Sequence, residues 1–188
     1  MVGRDGSGYE EGHDADTTFR YGSDYASVAN TVDHMTTSRR PSYPLSDGAE
    51  ILFSNEYEAS LITQKTGWSR DEVLSRVGTW VVTLGPDGVR IDREGEESVV
   101  VAAVPEIEKV EPTGVGDAFR AGFLAALSWG LGHERAAQLG CLLAVYVVEQ
   151  VGTQEYEISR QAFLDRCAAT YGDEAVADFA PHLQTIRP

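Results

Sequence analysis

Between Pro112 and Phe123 the chain reads PTGVGDAFRAGF, and Gly114 and Gly116 stand just ahead of Asp117. Glycine turns with little steric penalty, so consecutive backbone N–H groups can converge on one concavity. An apolar stretch with helical spacing follows. A helix begun here adds its unpaired N-terminal amides and the positive end of its dipole. Gly114, Val115, Gly116 and Asp117 therefore suit an anion hole whose natural guest is a phosphate. A carboxylate competes with bound phosphate, so Asp117 makes sense as a base that accepts a proton from an attacking hydroxyl while the amides hold the phosphoryl group. The plainer alternative, equally open on spacing alone, is an Asp N-cap after a glycine-rich turn. No Gly-Lys-Ser/Thr follows, which separates the segment from a P-loop. Arg120, one helical turn after Asp117, either faces the phosphates or pairs with a nearby acid.

The elements that must hold this turn are read from periodicity. The apolar run AEILF from Ala49 predicts a buried strand, ending at the capping residues Ser54 and Asn55. EYEASLITQKTG predicts a helix closed by Gly67, and Ser69 with Glu72 has the spacing of a capping box for the next helix. TWVVTLG and GVRIDRE predict strands joined through the Pro86-Asp87-Gly88 turn, and ESVVVAAV predicts a further strand. Helices are predicted from Ala118 to about Leu131, over HERAAQLGCLLAVYVVEQ, from Ser159 to about Tyr171, and near Asp173 to Phe179. Strands alternating with helices, then helices together, indicate an α/β layer structure. Residues 1–45 form a separate acidic leader without apolar periodicity, expected to be poorly ordered apart from one short helical turn around YASVANTVDHM. The packed portion is expected to span 46–188.

The segment PTGVGDAFRAGF resembles the second signature of the PfkB carbohydrate kinase (ribokinase-like) family, and is most similar to its actinobacterial adenosine kinase branch. Glu111 and Pro112 stand where the general signature has Asp and Thr, and Val115 where it has Ala. The resemblance implies that Asp117 is the catalytic base and that the amides of Gly114 through Asp117 bind the transferred phosphate. NEYE resembles the family's Asn-x-x-Glu motif, which implies a magnesium role for Asn55 and Glu58, placed on one helical face by their spacing. Without that likeness, the same residues read as a solvated helix start. VTLGPDGV resembles the strand and turn approaching the nucleotide, implying contacts from Thr83, Gly85 and Gly88. VGTQEY resembles the loop beside the adenine, implying contacts from Gly152, Thr153 and Gln154. The implied fold is a ribokinase-like three-layer α/β/α sandwich, and the implied cofactors are ATP and Mg2+. The implied activity is phosphotransfer to a hydroxyl of a small sugar or nucleoside, adenosine for preference. The family's acceptor half, with its Gly-Gly signature and β lid, is not recognisable in residues 1–45, so the fold is expected to be truncated on its N-terminal side. A non-catalytic nucleotide-binding or interaction module is the alternative.

Composition narrows the rest. The formal net charge of −15, from 30 acidic and 15 basic residues, argues against nucleic-acid or anionic-membrane partners, which require basic surface. No apolar run is long enough to cross a bilayer, and the polar start is not a signal peptide, so a cytoplasmic protein is expected. Cys141 and Cys167 read as buried free thiols. His13, His34, His133 and His182 have no ligand or triad spacing and read as surface or loop residues. A sheet without its first strands would expose a long edge, so homo-oligomerisation through that edge is expected.

Overall fold

The computed structural model describes residues 49–152 and 157–184, together with the backbone of 19–21 and 26–29. Six strands make one mixed sheet: β1 (Phe19–Tyr21), β2 (Ala26–Ala29), β3 (Ile51–Asn55), β4 (Thr79–Thr83), β5 (Val89–Arg93) and β6 (Val99–Val101), adjacent in that order. β2, β3 and β4 run parallel, whereas β1, β5 and β6 each lie antiparallel to their inner neighbour. Among the described residues six α-helices flank the sheet: α1 (Glu56–Thr66), α2 (Arg70–Val77), α3 (Val115–Ser128), α4 (His133–Val148), α5 (Arg160–Tyr171) and α6 (Asp173–Phe179).

The alternation of side chains along each strand assigns the layers. Ile51, Phe53, Val81, Val89 and Ile91 join a core with α3, α4, α5 and α6. Leu52, Trp80 and Val82 point the other way and pack with Ile62 of α1 and Val73, Leu74 and Val77 of α2. The result is the expected α/β/α sandwich. α1 and α2 start and stop where the sequence signals them. Both carry complete capping boxes, Asn55 with Glu58 and Ser69 with Glu72, and Gly67 closes α1 in the left-handed conformation at φ 72°.

Two helices need glycine in order to meet. A Cβ on Gly122 of α3 would lie 2.8 Å from the Leu139 carbonyl oxygen, and one on Gly140 of α4 would lie 2.7 Å from Phe119. Mid-helix glycine costs about 1 kcal/mol relative to alanine, and here it permits backbone-to-backbone packing. Phe53 of β3 meets Phe123 and Phe119 of α3 edge-on, at centroid distances of 5.2 and 6.3 Å. Such pairs contribute about 0.5–1.5 kcal/mol each beyond burial.

Several expectations are corrected. Ala26–Ala29 is a strand, where a helical turn was expected, and it pairs in parallel with β3 through Val28–Ile51 and Ala29–Leu52. β3 is therefore an inner strand. Among the described residues the edges of the sheet are the three-residue strands β1 and β6. α3 begins at Val115, one turn fraction earlier than Ala118. His133, expected at the surface or in a loop, lies in a helix and is only partly exposed. It starts α4 half-buried beside the Phe123 ring, and burial together with Arg93 lowers its pKa. Both cysteines are free and buried, as expected, and burial pushes their pKa values up to about 11, which leaves them unreactive thiols. Among the described residues no helix is long and apolar enough to cross a membrane.

One buried charge organises the β5 side. The Asp92 side chain is fully buried and accepts hydrogen bonds from Arg70 at 2.9 Å, Arg90 at 2.9 Å and Ser98 at 2.6 Å. Burial opposes its ionisation, but these donors prevail and hold its carboxyl below the usual range. With a folded-state pKa below the unfolded one, this group stabilises the fold above the ordinary carboxylate range, and that contribution disappears as pH falls through the lowered value. Denaturant titrations of the parent should lose stability on acidification, and Asp92→Asn should flatten that acid limb while lowering stability near neutrality. Gly140→Ala should lower stability by about 1–3 kcal/mol through overpacking against Phe119, read as a shift in urea midpoint at constant slope.

Candidate functional site

β3 and β4 are parallel, so their C-terminal ends finish side by side, with Asn55 opposite Thr83 in register. α1 departs from one of these ends, and α3 delivers its N-terminus to the same place. Ligands of open α/β sheets bind in crevices at this carboxyl end. Asn55, Glu58, Thr83, Gly116 and Arg120 line one cleft there, together with Phe53, Ser54 and Phe119. Residues more than 60 positions apart are thus brought together, and they include members of three of the segments singled out by sequence. Ser54, Phe53 and Phe119 were not singled out. Their signal was only adjacency, because each lies within two residues of a motif position.

The turn before α3 has the geometry of an anion site. Gly114 is the N-cap residue at φ 81°, a conformation that favours glycine, and no side chain caps the helix. Ala118 N donates to Gly114 O at 2.9 Å, the first helical bond, and Val115 N makes a long 3.4 Å approach to Pro112 O. The amides of Gly114, Gly116 and Asp117 have no acceptor among the described residues. Three unpartnered donors sit at the positive end of a 14-residue helix.

Asp117 is the third residue of α3, so the N-cap reading of its carboxylate is excluded. Its side chain is 80% exposed. Arg120 bends back over this turn: its Nε donates to Gly116 O at 3.2 Å, and its Nη2 lies 3.4 Å from Asp117 Oδ1. Both alternatives for Arg120 are compatible with this, since it pairs with an acid and lines the cleft. Gly116 is helical, and a Cβ there would approach Arg120 Nη2 at 3.4 Å. Its lack of a side chain keeps the cleft wall at backbone level.

The Asn-x-x-Glu pair serves the fold first. Asn55 Oδ1 accepts from Glu58 N, and Glu58 Oε2 accepts from Asn55 N, both at 2.8 Å. Only one Glu58 carboxylate oxygen is used in this box. Among the described residues no group of three or more His, Cys, Asp or Glu side chains could cage a metal. One carboxylate beside an anion hole fits magnesium, which is bound through few protein groups with water and phosphate oxygens completing its shell.

The remaining candidates separate. Gly85 has φ 60° with open space around it. Gly88 is buried, and a Cβ on it would lie 2.0 Å from Val101 O, so close packing against β6 already requires glycine there. Gly152 N donates to Glu111 Oε2 at 3.2 Å, linking the end of the α4 region to the residue that opens the anion-hole segment. Thr153 and Gln154 lie outside the described residues.

With this geometry in place, comparison identifies the relatives. Residues 39–159 match the pfkB family carbohydrate kinases. The chain is 28% identical to the Nucleoside kinase of Methanocaldococcus jannaschii over 71% of its own length and 44% of that protein's. It is 33% identical to the Inositol 3-kinase of Oryza sativa over 77% of its own length and 34% of that protein's. The Burkholderia thailandensis nucleoside kinase in complex with inosine superposes with TM-score 0.62 at 34% identity, covering 66% of this chain and 40% of that one. The Arabidopsis thaliana ribokinase complexed with ribose and ATP gives TM-score 0.55 at 26% identity, covering 64% and 41%. The chain thus spans less than half the length of each. More than half of it falls inside the matched family span, and on that ground it belongs to the pfkB family of carbohydrate kinases, whose ribokinase-like fold its described residues form in part.

Proposed function

We propose that the site transfers the γ-phosphate of ATP to a hydroxyl of a sugar or nucleoside, with adenosine the preferred acceptor. The observation that carries this reading is the set of unpartnered amides at Gly114, Gly116 and Asp117 beside an exposed carboxylate. These amides would donate to the γ-phosphate oxygens as charge develops in the transition state. Asp117 would accept the acceptor hydroxyl's proton as that oxygen attacks phosphorus, and the bond to the β,γ-bridging oxygen breaks to release ADP. Arg120 would exchange its contact with Asp117 for the phosphate, which frees the base and neutralises charge in one movement. Glu58, held by its cap bond to Asn55, would take the magnesium side of the cleft. Magnesium, when bound, supplies neutralisation of the β- and γ-phosphate oxygens.

Relatives in this family include nucleoside, inositol and adenosine kinases, a range that supports a small polyhydroxylated acceptor. A second reading is a nucleotide-binding or interaction module without turnover. Incubation with ATP, magnesium and a panel of adenosine, ribose and fructose separates the two. Acceptor-dependent ADP release supports the enzyme, and thermal stabilisation by nucleotide without ADP release supports the module.

Asp117→Asn should lower acceptor-dependent ADP release by about 10²–10⁴-fold with Mg–ATP affinity retained; an unchanged rate refutes the base assignment. Gly114→Ala should weaken Mg–ADP binding in calorimetry, because alanine at φ 81° is strained and the amides turn away from the phosphate.

A further inference from the structure

The segment between β6 and α3, residues 102–114, contains no helix or strand, yet it delivers the anion hole. It is anchored on α4 and α5, and Tyr171 of α5 donates through its hydroxyl to Ala102 O at 2.6 Å. Val110 N and Glu111 N both donate to Val148 O, at 2.8 and 3.1 Å, at the C-terminal end of α4. Ile107 N donates to Glu149 Oε1 at 2.7 Å, and Arg166 of α5 donates through Nη2 to Pro105 O at 2.7 Å. Arg166 Nη1 also donates to Glu149 Oε2 at 2.8 Å. Both charged side chains are largely buried, 14% exposed for Glu149 and 16% for Arg166. The Arg166 guanidinium lies 5.4 Å from the Tyr146 ring centroid. Hydrogen bonding to Arg166, against the opposing effect of burial, holds the Glu149 carboxyl below its ordinary range.

We infer that Glu149 and Arg166 are a positioning pair for the nucleotide: their clasp on Pro105 and Ile107 sets where the connector carries the amides of Gly114–Asp117. This inference rests on the proposed phosphate role of that turn. Neither side chain touches the cleft, so the pair acts through the connector. A purely structural ion pair would contribute to stability alone. A positioning pair controls nucleotide affinity even when the protein remains folded. Removing one partner strands a buried charge, and replacing both with apolar residues avoids that penalty. The informative variant is therefore Glu149→Met/Arg166→Leu, with Arg166→Lys as the conservative comparison.

Three measurements on the full chain test the pair: thermal unfolding, Mg–ADP binding by calorimetry, and amide hydrogen exchange at Ile107, Val110 and Glu111. The double variant should unfold cooperatively, bind Mg–ADP at least tenfold more weakly than the parent, and exchange faster at those amides. Arg166→Lys should recover part of the affinity. A double variant whose Mg–ADP affinity stays within twofold of the parent, or whose connector amides exchange at the parental rate, overturns the inference. A parent that binds no Mg–ADP, with connector amides still protected through the clasp, overturns the nucleotide reading and the inference with it. Exchange thus separates that failure from a clasp that never held the connector.

Discussion

The cleft exists because α3 is pressed against β3 at a set height. Phe53 lies two residues before Asn55, and Phe119 lies two residues after Asp117, so the contacts among Phe53, Phe119 and Phe123 tie the Asn55 side of the cleft to the turn that opens α3. Interiors pack at crystal-like density, and a shift of one ring displaces its neighbours. On its far face α3 is held by the approach of Gly122 and Gly140, where no Cβ intervenes. Phe119 occupies both contacts: its ring packs on Phe53 and also meets the space a Gly140 side chain would fill. The position of Asp117 is therefore set from two sides by atoms that perform no chemistry.

The same economy appears at Asn55 and Glu58. A capping box satisfies orphan amides of α1 and costs nothing in side-chain reach, since both groups are already at the helix start. It also fixes the rotamer of Glu58, because one carboxylate oxygen is tied to Asn55 N. A carboxylate restrained in this way presents its second oxygen without further loss of side-chain entropy. The cap and the proposed cation role need not compete for these residues.

Much of the layer order was legible because strand alternation and capping signals are local. Ile51–Asn55, the Asn55 cap, the Ser69–Glu72 capping box, the Gly67 stop and the β4–β5 turn follow from spacing within a few residues, whereas the reciprocal Glu58 half of the Asn55 box emerges only in the structure. The start of α3 was misplaced because its N-cap is Gly114, which carries no side-chain signal, so Asp117 looked like the cap. Ala26–Ala29 was misread because four small or branched residues have no period strong enough to decide, and its pairing with Ile51 and Leu52 is a tertiary choice. Gly88 shows the same limit: its need for glycine comes from Val101 and Ala103, which local sequence does not place beside it. Of the site, the motifs named Asn55, Glu58, Thr83 and Gly116, while their convergence with Arg120 on one cleft is a product of parallel β3 and β4; Asp117, also named by its motif, is not among the residues lining that cleft.

A net charge of −15 is an unpromising surface for a polyanionic nucleotide. At physiological ionic strength, however, exposed charges beyond roughly 8 Å are largely screened, so distant carboxylates oppose binding weakly. Within that radius the turn offers amide donors, a helix N-terminus and Arg120. Backbone donors have a further advantage over lysines here, since they cannot be neutralised by pairing with the surrounding acids. Arg120 illustrates the contrast, because its guanidinium already rests near Asp117. For the proposed phosphate role, dipoles that the protein's own carboxylates cannot capture serve an acidic protein best, and the turn with glycines at 114 and 116 leaves such amides without an acceptor among the described residues.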